Sequence, residues 1–210
     1  MMEIGDQEIE IASERGGVRS ALHSVDGPPS GSILAGVVMV GGGDGGLDGP
    51  AESLYPTLGN DLAGVGIATL RVDFRVHQFP GDVEEGVADV LTGVRYLIEQ
   101  GVERLGVLGH SFGGAVVIES AAEEPAIRSV VTLATQTAGA QRVAELAPVP
   151  LLLVHGLDDV RLTPDCSRML YRLAGEPKRL ELLDGATHSL RQRREDVREL
   201  VRRWFVETLG

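Results

Sequence analysis

At 210 residues, with 43% apolar and 24% charged side chains, the chain is long enough to bury a full core and has ordinary globular composition. Its formal net charge of -12 argues against a nucleic-acid partner, which needs a basic face, and against an anionic membrane surface. Cys166 is the only cysteine, so an intrachain disulfide is excluded, and no Cys/His cluster has the spacing of a structural metal site.

The N-terminus, MMEIGDQEIE, is acidic and lacks the apolar core of a secretory signal. No apolar run approaches bilayer-spanning length. A single domain over 1–210 in a cytoplasmic setting is the expectation.

EIEIAS (8–13) and VRSALHS (18–24) alternate apolar and polar residues, which predicts two half-buried strands, paired antiparallel. DGPPSGS (26–32) reads as a turn or exposed loop. ILAGVVMV (33–40) is a short continuous apolar run, suited to a strand buried on both faces. A glycine-rich loop follows, then a helix near 51–63 and a second buried strand, GIATLRVDF, at 66–74. Residues 82–99 carry apolar side chains at helical spacing behind an acidic first turn.

The alternation continues with a strand at 104–110, a helix at 112–123 that stops before Pro125, and strands at 127–135 and 150–156. A polar helix near 164–174, a strand at 178–184 and an amphipathic helix at 193–209 complete the chain. Such alternation with short connections predicts an α/β fold: a mostly parallel central sheet, helices on both faces, and an antiparallel N-terminal edge. In sheets of this kind, ligands bind beyond the carboxyl ends of the strands.

LGHSFGGA (108–115) sits at one of those ends, between a strand and a helix. GHSFG fits G-x-S-x-G, in which small neighbours allow a tight turn that lifts the serine above the sheet. Two readings fit this local chemistry: Ser111 as nucleophile, with the Phe112 amide facing a developing oxyanion, or Ser111 as an ordinary helix cap. Distant residues separate them. A serine hydroxyl needs a base, and the base needs an orienting acid. In chain order, the loop after 150–156 holds Asp158 and Asp159, and the loop after 178–184 holds His188.

GHSFGG, HGLDD…P and GATHS together resemble the α/β-hydrolase superfamily over nearly the whole chain. The resemblance implies the α/β-hydrolase fold, with Ser111 as nucleophile, His188 as base and Asp159, three places after Gly156, as acid; Asp158 is the second choice. It also implies that the loop after residue 40 supplies the second oxyanion amide. Relatives often have a His-Gly pair there; Gly41-Gly42 replaces it, which aligns Gly43 as donor and keeps Gly42 as the alternative. RVDFRVHQFPG (71–81) departs from the superfamily's Arg-Gly-x-Gly pattern. Many relatives insert a helical cap after the strand that ends near Ala134, whereas here 135–148 has room for about one helix. No large cap domain and an open site for small or flexible acyl substrates are therefore expected. The likeness is to compact esterases and the dienelactone-hydrolase-like branch, whose lactone enzymes use cysteine at the position of Ser111. Activity on a small-molecule ester, thioester or lactone without metal or organic cofactor follows as the expectation.

A rival reading comes from Gly41, Gly43 and Gly46, which satisfy the dinucleotide pattern G-x-G-x-x-G, with Asp73 as a ribose ligand. Gly49 and Pro50 count against it, because they delay the helix that should meet the pyrophosphate. A non-catalytic binding scaffold on the same fold is the other alternative. Arg75 and His77 are read as cleft-lining residues or, for Arg75, as half of a surface ion pair. His110 and His155 are read as packing and hydrogen-bonding residues, Cys166 as a small buried apolar side chain, and RQRRE (191–195) as a solvated helix face.

Overall fold

A computed structural model describes residues 6–24, 34–78 and 81–210. The loop predicted at 26–32, the first residue of the strand predicted at 33–40, and residues 79–80 lie outside the described residues.

Eight strands form one sheet: β1 (Asp6–Ile11), β2 (Val18–His23), β3 (Leu34–Val40), β4 (Ile67–Val72), β5 (Val102–His110), β6 (Ile127–Leu133), β7 (Leu151–Gly156) and β8 (Lys178–Leu183). Their spatial order is β1-β2-β4-β3-β5-β6-β7-β8. β1 pairs antiparallel with β2, and β2 antiparallel with β4; every later neighbour is parallel. The α-helices among the described residues are α1 (Pro50–Ala63), α2 (Val83–Glu99), α3 (Phe112–Glu123), α4 (Asp165–Leu173) and α5 (Arg194–Leu209).

Strand alternation divides the core into two layers. On β3, Val38 and Val40 face the layer with α2 and α3, while Ala35, Val37 and Met39 face the layer with α1 and α5. β7 repeats the pattern, with Leu151 and Leu153 on the first face and Leu152 and Val154 on the second. These runs are apolar throughout because both faces are covered. Each such buried side chain is worth about 1.5–3 kcal/mol relative to exposure.

The helices follow their local chemistry. Asp82 caps α2 by accepting from the amides of Glu84 (3.0 Å) and Glu85 (3.2 Å). α3 is buried on nearly every side, consistent with its place over the middle of the sheet, and it stops as the chain extends at Glu124 before Pro125. α5 buries Val197, Val201, Phe205 and Leu209 at a spacing of four, and Arg198 joins it to α1 with Nη2 2.7 Å from Asp61 Oδ1.

Between β6 and β7 the connection holds a single 3-10 turn, Gln141–Glu145, within the room for about one helix read at 135–148, and no large cap rises over this part of the sheet. The first turn of α1 is irregular: residues 51–53 are left-handed, with φ from 55° to 65°. Left-handed backbone costs non-glycine residues about 1–2 kcal/mol each. The turn docks against the loop after β8, where the buried Ala51 gives its amide to Ser189 O at 2.9 Å.

Candidate active site

The parallel strands end at one rim, and the loops there carry Ser111, Asp159 and His188. β5 ends at His110, and Ser111 follows with φ 56° and ψ -115°, a conformation that a residue with a Cβ adopts only when its surroundings impose it. Here Ser111 N donates to Leu133 O at 2.8 Å, and Gly114 N donates to Ser111 O at 3.1 Å. The turn is tight enough that a Cβ on Gly109 would strike the Gly113 carbonyl, and one on Gly113 would strike the Gly41 carbonyl. Ser111 makes no side-chain cap bond to α3. Its Oγ instead lies 3.0 Å from His188 Nε2.

The opposite ring nitrogen, His188 Nδ1, lies 2.7 Å from Asp159 Oδ2. A carboxylate partner puts the proton on Nδ1, which leaves Nε2 as acceptor for the serine hydroxyl. Asp159 is buried, whereas its neighbour Asp158 is exposed and contributes only its amide, 2.9 Å from Ala186 O. Of the two aspartates, Asp159 is thus the one that reaches the histidine.

Asp159 receives four donors. Oδ1 accepts from the amides of Arg161 and Leu162, each at 2.9 Å. Oδ2 accepts from His188 and, at 3.2 Å, from His155 Nε2. Burial opposes ionisation of this carboxyl, but the amides and the His188 ring outweigh it and hold Asp159 below the usual carboxylate range. His155 is itself fixed: Nε2 also donates to Leu162 O at 2.9 Å, and Nδ1 accepts from Ser167 Oγ at 2.7 Å. Burial pushes His155 below its ordinary value, which keeps the ring neutral and suits this pattern.

His110 braces His188 from the other side, donating from Nε2 to His188 O at 3.1 Å. Burial, with the charges of His188 and Arg161 acting in the same direction, pushes its pKa down to about 4.

The glycine loop, 41–49, faces Ser111 from the end of β3. Two of its amides are used internally: Gly45 N donates to Gly42 O at 3.0 Å, and Gly46 N to Asp73 Oδ1 at 2.6 Å. Among the described residues, Gly42 N and Gly43 N have no such acceptor outside the strand ladder, and Phe112 N, at the start of α3, has none within its helix. Gly43 borders both cavities beside Ser111, while Gly42 borders only the smaller.

Those cavities differ. The smaller, about 170 Å³, is lined by glycines of the loop with His110, Ser111 and His188. The larger, about 580 Å³, is lined by Phe112, Val83, Ala138 and Leu162 among others, and also reaches Ser111. Asp44 and Arg161 border both. A wider groove of about 1000 Å³ lies elsewhere, between residues 12–15 and α2, where the Ser13 hydroxyl donates to Gly16 O at 2.7 Å.

Asp73 and Arg75, read from sequence as possible ligand contacts, are committed to internal bonds. Asp73 holds Gly46 N and lies 2.8 Å from His77 Nε2. Arg75 is largely buried, paired with Glu85 at 2.7 Å and with Asp89. The glycine loop does not open directly into a helix, since Gly49 and the left-handed turn intervene. Cys166 is half-buried and faces the larger cavity rather than lying in the core. Sequence reasoning missed the Asp159–His155–Ser167 connection and the Asp73–Gly46 clamp. For the first, the four-residue step from His155 to Asp159 was the available signal. Among the described residues, no group of three or more His, Cys, Asp or Glu could hold a metal, and no helix is long and apolar enough to cross a membrane.

No family model matches the chain. It is 31% identical to the uncharacterized protein YfhR of Escherichia coli K12 over 118 residues, covering 45% of this chain and 42% of that protein. The chain therefore spans under half the length of this curated relative. Similarity to solved structures is far more extensive. A dienelactone hydrolase from Anabaena variabilis superposes with TM-score 0.81 at 18% identity, covering 97% of this chain and 98% of that one. Est1E from Butyrivibrio proteoclasticus gives 0.76 at 19% identity, with 95% and 98% covered. The esterase domain of a Rhodothermus marinus protein gives 0.75 at 20% identity, with 98% and 100% covered. With its strand order, serine turn and rim loops, the chain has the α/β-hydrolase fold, in a form without a large cap domain.

Proposed function

We propose that the protein is a serine hydrolase that cleaves a small ester-like substrate (an ester, thioester or lactone) through an acyl-enzyme. The observation that carries this reading is the unbroken hydrogen-bonded line from Ser111 Oγ through the His188 ring to the buried Asp159 carboxylate. In the proposed reaction, His188 Nε2 takes the hydroxyl proton as Ser111 Oγ attacks the substrate carbonyl carbon. Asp159 stabilises the imidazolium that results. The amides of Phe112 and Gly43 receive the oxyanion; losing one such donor typically costs about 3 kcal/mol of barrier. Collapse of the intermediate breaks the bond to the leaving group, which takes the proton from His188. Water then attacks the acyl-serine as His188 takes its proton; the acyl–Oγ bond breaks, Ser111 Oγ takes the proton back from His188, and the acid departs.

The acid–base role of His188 also assigns the two sides of the site. A leaving group must lie within reach of the imidazolium that protonates it. The smaller cavity contains His188, so it suits the alcohol or thiol side, and the larger cavity beside Phe112 suits the acyl group. The absence of a large cap favours small or flexible acyl chains over long lipids. Labelling by a fluorophosphonate probe, followed by peptide mapping, tests the reading. Wild type should be modified at Ser111, and Ser111→Ala and His188→Ala should take up little or none. A folded wild type that resists the probe contradicts it.

A further inference from the structure

Arg161 stands out among the side chains at this rim. Its amide is bound to Asp159 Oδ1, so its Cα is held by the same bonds that hold the proposed acid. Its side chain is exposed and borders both cavities beside Ser111. Among the described residues its guanidinium has no hydrogen bond and no carboxylate within ion-pairing distance. Arg71, Arg75 and Arg198, by contrast, are all matched to carboxylates. In a chain of net charge -12, an unmatched cation placed beside the nucleophile is a local reversal of the prevailing sign. A guanidinium presents a planar fork of donors suited to a carboxylate. Leu162 and Cys166, from the same turn and the start of α4, line the larger cavity but not the smaller, so the turn that carries Arg161 chiefly faces the larger cavity.

We propose that Arg161 is a specificity-determining residue that selects esters carrying a carboxylate on the acyl side, close to the scissile carbonyl. This rests on the serine hydrolase reading and adds the substrate class to it. Asp44, exposed at the same mouth, opposes an anion. Arg161 differs from Asp44 in that its backbone is fixed by the amide bond to Asp159 Oδ1, so its cation is carried by the turn that holds the proposed acid.

The test compares kcat/KM, followed by acid release at constant pH, for monomethyl glutarate and its neutral amide, methyl glutaramate. Wild type should favour the charged ester by roughly tenfold to a hundredfold, the range of a charge-assisted hydrogen bond. Arg161→Gln should collapse that ratio toward one. Arg161→Lys should keep part of it, since it retains the charge and loses the fork. The ratio is internal to each variant, so partial loss of folded protein does not alter it. Asp44→Asn should raise the ratio slightly. A ratio unchanged in Arg161→Gln, or a wild type that prefers the neutral ester, overturns the proposal. So does a stronger preference for acetoxyacetate, whose carboxylate lies on the alcohol side. Fluorophosphonate labelling of Ser111 without any charge preference sinks the role of Arg161 alone. With no labelling and no hydrolysis of any of these esters, the hydrolase reading fails and takes this proposal with it.

Discussion

The acid turn, 155–167, and the glycine loop, 41–49, both border Ser111, but their polar groups are treated in opposite ways. In the acid turn nearly everything is paired: Asp159 has four donors, His155 has partners on both ring nitrogens, and Ser167 ends the line. In the glycine loop the amides of Gly45 and Gly46 are tied back, while those of Gly42 and Gly43 have no acceptor outside the strand ladder among the described residues. Paired groups hold a geometry before any ligand arrives, and unpaired amides on residues that border a cavity are free to bind one. The contrast suggests that one loop fixes the base and the other receives charge that exists only during reaction.

Breaking the acid turn should have the largest effect. Asp159→Asn retains the size of the side chain but offers His188 Nδ1 the wrong partner pattern, and kcat for ester hydrolysis should fall about 10⁴-fold. A change under tenfold would mean that Asp159 does not orient the base.

Loosening the glycine loop should cost less. Asp73→Ala withdraws the acceptor of Gly46 N and frees His77, so the Gly43 amide loses its placement. A displacement near one ångström at a reacting centre is worth about 10²-fold in rate, and the loss should fall on kcat with KM little changed. Equal loss in both parameters would place Asp73 in substrate binding instead.

Stability should also depend on pH through the buried titratable groups at this rim. His110, held near 4 when folded against an ordinary 6.5, binds its proton more readily in the unfolded chain throughout that interval. Its contribution to stability is full above about 6.5 and declines as pH falls toward 4, by up to about 3 kcal/mol. His155, also lowered, acts in the same direction. Asp159, held low, is stabilising above its unfolded value and loses that contribution as pH drops through its folded one. Denaturant unfolding between pH 7 and 4 should show falling stability, and His110→Gln should flatten the slope. A slope that rises toward acid would contradict the assignment.

Smallest is Ser167→Ala, which leaves the buried His155 Nδ1 without its donor. It should lower stability by about 1–3 kcal/mol and change kcat by only a few-fold. Calorimetry alongside the ester assay separates the two.

Much of this arrangement was readable in the chain. Short apolar runs separated by helical segments fix a parallel sheet, and strand ends carrying Ser111, the 158–159 pair and His188 meet at one rim for topological reasons. The resemblance ranks Asp159 ahead of Asp158 from its distance to Gly156; in the folded chain Asp159 turns inward to four donors while Asp158 faces water. What stayed hidden depends on segments distant in sequence approaching each other. Asp73 finds Gly46 across two strands, Ala51 finds Ser189 across most of the chain, and the left-handed turn at 51–53 has no propensity signal because its residues ordinarily continue a right-handed helix.

The central claim is that Ser111 carries the acyl group during turnover. Rapid quenching of wild type with a slowly released acyl ester, followed by intact-mass measurement and peptide mapping, tests it directly. The account predicts a mass increase equal to the acyl group, located on Ser111, formed faster than steady-state release and missing from Ser111→Ala. Ester turnover with no acyl adduct on Ser111, and undiminished in Ser111→Ala, would contradict it.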